Sequence, residues 1–122
     1  MADHSPEETV QLFAQYLNSG DLDGALTLYE PGASFLPEPG TVVSGLDAIR
    51  AALQGFFALR PVLAGDIQRV VQADGTALVI NAWKLSGTLP DGTAVQQNGT
   101  SADVLRRQPD GRWLLLIDDP WG

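Results

Sequence analysis

The side chains with chemistry to offer are carboxylates. Near its C-terminal end the chain reads Ser101-Ala102-Asp103-Val104-Leu105. After the turn Pro109-Asp110-Gly111 it reads Trp113-Leu114-Leu115-Leu116-Ile117-Asp118-Asp119. The run Trp113 to Ile117 is apolar at successive positions, so both faces of that strand must be covered. Asp103 and Asp118 therefore stand on a mostly apolar wall, where a carboxylate is paired, solvated at a rim, or functional. If Asp110-Gly111 is a two-residue turn, Pro109 faces Arg112, and counting outward sets Asp103 opposite Asp118. Opposed side chains in a ladder have Cβ atoms roughly 4.5–5.5 Å apart. Two carboxyls so close do not both ionise readily, and one of them holds its proton more tightly. A three-residue Pro-Asp-Gly turn would shift the register by one and part their faces. The proline before the turn favours that longer form, so both registers stay open. Asp119 reads as a solvated strand end. A carboxylate-only metal site at Asp103, Asp118 and Asp119 is not required by the spacing, and no metal is expected.

Composition removes several alternatives. The chain has 122 residues, 44% of them hydrophobic, enough for one domain spanning 1–122 with a sizeable core. It has no cysteine, which removes disulfides, thiol nucleophiles and thiolate zinc sites. The single histidine, His4, precedes the first helix signal, so neither a histidine-based triad nor a two-histidine metal site fits inside the domain. Fifteen acidic residues against seven basic ones give a net charge of −8, which disfavours nucleic acid and anionic membranes as partners. The start, MADHSPEE, is acidic and lacks the apolar stretch of a signal peptide, and no apolar run reaches membrane-spanning length. A cytoplasmic protein is expected.

The elements that must position the carboxylates follow from local signals. Ser5-Pro6-Glu7-Glu8 opens a first helix with a cap, a proline at its first position and a capping box. Its buried stripe is Val10, Phe13, Ala14 and Leu17, and Asn18-Ser19-Gly20 stops it. Asp21 caps a second helix with Leu22, Ala25, Leu26 and Leu28-Tyr29 on its apolar side, ended by Pro31-Gly32. Ala33–Leu36 is a short extended piece, Pro37-Glu38-Pro39-Gly40 a loop, and Thr41–Val43 a brief strand. Ser44-Gly45-Leu46-Asp47 starts a third helix that buries Ile49, Leu53, Phe56 and Phe57 and stops at Arg60-Pro61. Beyond it, three Asp-Gly pairs separate β-rich runs. They predict a four-stranded antiparallel meander of Val62–Ala73, Thr76–Leu89, Thr93–Arg107 and Arg112–Ile117. Strands this long coil, and Gly87 and Gly99 offer places to bend. The class is α+β: three N-terminal helices packed in a strongly curved antiparallel sheet. Helices do not fill such a cone, so an internal apolar pocket is expected.

This order of elements resembles the NTF2-like superfamily, in its SnoaL-like and ketosteroid-isomerase-like (DUF4440-like) branch. The residues that carry the resemblance are Leu17-Asn18-Ser19-Gly20-Asp21-Leu22-Asp23, Ala33-Ser34-Phe35, Ser44-Gly45-Leu46-Asp47-Ala48-Ile49, Asp103-Val104-Leu105-Arg106 and Asp110-Gly111-Arg112-Trp113. The resemblance implies the cone-shaped fold over almost the whole chain. It does not fix an activity, because one fold hosts isomerases, cyclases, hydrolases and non-catalytic binders. It places Asp103 where the isomerases keep a protonated aspartic acid that donates to an oxyanion. Their partner tyrosine falls on Phe13, and Tyr16, on the same helix face, stands in for it. Their general base is a carboxylate before a proline, matched by Glu38-Pro39 with one residue of slippage.

Two readings of function result. In the first, Asp103 and Asp118, with Glu38 or Tyr16, handle protons for a small neutral or weakly polar organic molecule, with no cofactor. Steroid isomerisation itself is not expected. Phe13 and Phe56 from the helices, Leu36 from the first strand, and Asn81, Trp83, Ser101 and Leu116 from the sheet would line the pocket. In the second reading the same fold is a non-catalytic binding or dimerisation module. Apolar residues lie on both faces of the second long strand, with Leu78, Ile80 and Ala82 against Val79 and Trp83. One face meets the helices, so a homodimer packed sheet on sheet is expected to cover the other.

Overall fold

The computed structural model describes residues 4–122. Helix α1 runs Pro6–Ser19, with Ser5 accepting the Glu8 N–H at 3.2 Å. Half of the capping box forms; the Glu8 carboxylate instead meets the His4 ring at 3.0 Å. Helix α2 is shorter than its apolar pattern suggests, only Leu22–Leu26, capped by Asp21. Tyr29 therefore does not belong to a helix. It opens strand β1, Tyr29–Glu38, and Pro31-Gly32, expected as a helix stop, lies inside that strand where its register shifts. Strand β2, Thr41–Ser44, returns as a hairpin, and α3 follows at Leu46–Phe57.

The long strands are β3 (Val62–Ala73), β4 (Thr76–Thr88), β5 (Ala94–Arg107) and β6 (Trp113–Asp119). All six strands form one sheet in the order β2-β1-β6-β5-β4-β3. The meander is antiparallel throughout, and β1 joins it by a parallel pairing with β6. That pairing had no local signal, since it joins residues 86 apart (Tyr29↔Leu115).

Proline selects the turn type. The bare pair Asp74-Gly75 makes a two-residue turn with both residues at positive φ, 50° and 73°. Pro90-Asp91-Gly92 and Pro109-Asp110-Gly111 both make the three-residue form. In each, the glycine N–H bonds back to the residue before the proline, and the aspartate accepts the N–H two residues on.

The core lies between the helices and the concave side of the sheet. Ile49 and Leu53 of α3, Val79 of β4 and Leu105 of β5 are almost wholly buried there. Burying each such side chain contributes about 1.5–3 kcal/mol. Asn18 pins the end of α1 to β3, exchanging two hydrogen bonds with the Leu63 backbone at 2.6 and 3.0 Å. Thr9, buried, donates to the Trp113 carbonyl at 2.6 Å and ties the start of α1 to β6. On the convex side Leu78, Val71 and Ile117 are exposed. No described helix is long and apolar enough to cross a membrane.

Candidate functional site

Between α1, α3 and the concave side of the sheet is a cavity of about 500 Å³. The stripe Val10, Phe13, Ala14 and Leu17 of α1 lines it, because a spacing of three and four keeps those side chains on one helix face. Leu53 and Phe56 of α3 and Phe35 of β1 complete its apolar side. Strands β4 and β5 contribute alternate residues, Asn81 and Trp83 from one, Ser101 and Asp103 from the other.

Asp103 and Asp118 are ladder partners and both face this cavity. The route to that register is indirect. The three-residue turn sets Arg107 opposite Trp113 and Leu105 opposite Leu115, one residue out of step with an Asp103–Asp118 rung. An extra residue, Leu116, is then accommodated between Leu115 and Ile117, and the register returns. A bulged turn and a facing pair of carboxyls thus coexist.

Both carboxyls are buried, at 6% and 7% exposure. Burial first, and the charge of Asp118 second, hold Asp103 well above the usual carboxylate range. Burial also raises Asp118, opposed by hydrogen bonds from Asp103 and Tyr29. The Tyr29 hydroxyl donates to Asp118 Oδ2 at 2.5 Å, and the Asp119 N–H donates to Asp103 Oδ1 at 3.2 Å. Burial and mutual charge thus favour keeping a proton on the Asp103–Asp118 pair, and the Tyr29 phenol addresses the Asp118 side of it. Burial, followed by the nearby Asp118 charge, keeps the phenol itself protonated far into alkali. Its ring is held edge-on between Phe13 and Phe35.

Two tryptophans, Trp83 and Trp121, also line the cavity. Trp83 donates its indole N–H to the Pro120 carbonyl at 2.7 Å, and Trp121 donates to the Leu36 carbonyl at 3.1 Å. The two rings meet edge to face with centroids 5.5 Å apart. Asp66 and Gln97 lie on the lining where strands β3 and β5 are exposed, and no lysine, arginine or histidine lines the cavity. Among the described residues no cluster of three or more potential metal ligands occurs.

Several expected site residues stand elsewhere. Leu36 and Leu116 do not line the cavity; their neighbours Phe35 and Leu115 do. In β1 the inward side carries Ala33 and Phe35, so period two turns Leu36 away. In β6 the bulge at Leu116 has the same effect. Glu38 is exposed at the β1–β2 turn, off the cavity lining. Tyr16 borders a smaller hollow beside α2, its ring lying over Gly24. Phe13, Phe56, Asn81, Trp83 and Ser101 do lie on the lining. Sequence reasoning missed Tyr29, which the apolar pattern had assigned to α2, and Trp121. The β-propensity of Tyr29 just before Pro31-Gly32 was the available signal.

Solved structures similar to this chain share its fold. A ketosteroid isomerase-like protein from Erwinia carotovora atroseptica is 19% identical, with a TM-score of 0.79 over 92% of this chain and 88% of that one. An NTF2-like superfamily protein from Salmonella enterica is 16% identical, with a TM-score of 0.80 over 92% and 84%. An NTF-2 like protein of unknown function from Shewanella oneidensis is 19% identical, with a TM-score of 0.75 over 92% of both chains. No curated protein matches the sequence. The family model of the SnoaL-like domain matches residues 10–115, and the chain belongs to that family.

Proposed function

We propose that the cavity is a binding site for a small organic molecule and that Asp103 supplies a proton to it, in a cofactor-independent isomerase, lyase or hydrolase reaction. The observation that carries this reading is the buried Asp103–Asp118 rung on the wall of an apolar cavity, steadied by Tyr29. A carboxylic acid that burial holds in its protonated form can donate to a carbonyl or ether oxygen as negative charge develops there. Asp118 retains the pair's single negative charge. In the simplest reaction such a pair supports, Asp103 donates to the carbonyl oxygen while the Asp118 carboxylate takes a proton from the adjacent carbon; Asp118 then returns that proton to another atom as the enol oxygen gives its own back to Asp103.

The test uses 1-tetralone, a neutral bicyclic ketone small enough for the cavity. Binding is followed by the indole N–H signals of Trp83 and Trp121, and chemistry by deuterium uptake next to the carbonyl in D₂O. The reading expects binding and exchange at least ten times faster than buffer, with Asp103→Asn keeping the first and losing the second. Failure of 1-tetralone and of ketones of similar size to bind would reject it.

A non-catalytic binding module is the second reading. The position of Glu38 favours it, since the one candidate base outside the rung is exposed and off the cavity lining. Binding without exchange would select it. In either case a second copy of the chain is the partner proposed for the convex face, where Leu78, Val71 and Ile117 lie exposed. A monomer by size exclusion with light scattering at micromolar concentration would exclude that assembly.

A further inference from the structure

Tyr29 donates to the buried carboxyl pair from outside the cavity. Its hydroxyl meets Asp118 Oδ2 at 2.5 Å, and the residue is almost wholly buried. Phe13 and Phe35, whose edges hold its ring at centroid distances of 6.3 and 6.5 Å, both line the cavity; Tyr29 does not. A ligand therefore meets the carboxyl, while the phenol acts on it from behind. Length accounts for the residue type. Tyr29 is level with Leu115 in β6, and Asp118 stands three residues further on, about 10 Å along the strand. A serine or threonine hydroxyl does not reach across that distance; a phenol does.

The two carboxyls of the rung are consequently not equivalent. Asp118 accepts the short bond from the phenol, whereas Asp103 accepts the Asp119 N–H at 3.2 Å. A donated hydrogen bond favours the ionised form of the group that accepts it. Bonds to an oxyanion are about twice as strong as neutral ones, so the phenol bond is worth most with the negative charge on Asp118. The remaining surroundings do not offset this. Burial, and more weakly the Asp119 charge, oppose ionisation of both carboxyls and do not choose between them. Phe35 of β1 is the ladder partner of Asp118, and α1 and α3 present the uncharged Phe13 and Phe56 to the cavity. Among the described residues no lysine, arginine or histidine lines the cavity to favour either member.

We infer that Tyr29 is a positioning residue that decides which carboxyl of the pair is the acid and which the base. By donating to Asp118 it holds the negative charge there and leaves the proton on Asp103. This rests on the proposed proton transfer and adds a control on its direction. In the productive state the pair carries one proton. Below its first ionisation Asp118 is protonated and takes no proton from carbon; above its second, Asp103 has none to give. Tyr29 bears on the first step, because Asp118 becomes charged there. It bears little on the second, because Asp118 is charged on both sides of it.

The experiment follows deuterium uptake by 1-tetralone against pH, together with the carbon-13 titration of Asp118. Wild type is compared with Tyr29→Phe. Because the chain has two tyrosines, Tyr16→Phe grown on 3-fluorotyrosine carries the fluorinated ring at position 29 alone, and Tyr16→Phe with ordinary tyrosine is its reference. Loss of the phenol should move the acid limb of the profile, and the Asp118 step, to higher pH by about one unit. The fluorinated phenol, a stronger donor, should move both to lower pH. The alkaline limb should stay in place. A purely structural defect lowers the rate at every pH and does not shift the limb in opposite directions. An acid limb and Asp118 step that stay in place in both proteins, or move the same way in both, overturn the inference and leave the proton transfer intact. If Tyr29→Phe does not fold, the fluorinated protein decides, and an Asp118 step that fails to fall overturns the inference. No exchange in wild type overturns the proposed reaction; the Asp118 titration then decides alone whether Tyr29 places the proton.

Discussion

Asp103→Asn should make the protein more stable, and by an amount that depends on pH. Asparagine keeps the shape, keeps an acceptor for the Asp119 N–H and keeps a donor towards Asp118. What it removes is the second ionisable group on the rung. With Cβ atoms about 5 Å apart and an effective dielectric of about 20, two like charges repel by about 3 kcal/mol. In the wild type, Asp103 holds its proton more tightly folded than unfolded, because burial and Asp118 both raise it. The stabilising contribution is then complete below the unfolded carboxylate value of about 3.9 and is lost as pH rises through the folded value. Asparagine has no such loss. Urea unfolding at pH 4, 6 and 8 should therefore give near-equal stabilities at pH 4, with the variant ahead by about 2–3 kcal/mol at pH 8. A variant less stable than wild type at pH 8, or a gain that does not change with pH, would refute the reasoning.

Three further perturbations follow from the same geometry. Tyr29→Phe removes the hydroxyl that addresses a buried carboxylate and should cost about 1.5–3 kcal/mol, the range for hydrogen bonds to charged groups; unchanged urea unfolding at pH 7 would contradict the bond. Asp118→Asn removes the second-largest cause of the raised Asp103 affinity, so Asp103 should ionise at lower pH, visible in its carboxyl carbon shift. Glu30 receives two bonds from the Arg106 guanidinium and one from Gln108, which lower its own proton affinity. Since Arg106 is half exposed, Glu30→Ala should cost only about 1 kcal/mol, and the loss should shrink in high salt.

Caps, turn residues and apolar periodicity are local, and so α1, α3 and the four long strands were legible before any coordinates. Asp-Gly pairs placed each hairpin within a residue or two. What was not legible depends on contacts far along the chain. Tyr29 looks helical in its own neighbourhood; its place in β1 comes from pairing with β6, where its partner Leu115 lies 86 residues away. Leu36 and Leu116 show a different limit. Both are apolar residues beside an apolar neighbour, and which of the two faces inward depends on a bulge or a register that composition does not reveal. The Asp103–Asp118 rung is the most instructive case. Each turn type considered from sequence predicted a definite register, and the structure combines the longer turn with the register of the shorter one, through the extra residue at Leu116.

The most direct measurement is a carbon-13 titration of the aspartate carboxyls, with Asp103 and Asp118 assigned through their asparagine variants. Two buried carboxyls sharing one wall should titrate as a linked pair, with the Asp103 carbon moving well above the range of the surface aspartates. Two independent, ordinary titrations near 3.9 would mean that water reaches both groups, and the proton-carrying wall would not exist.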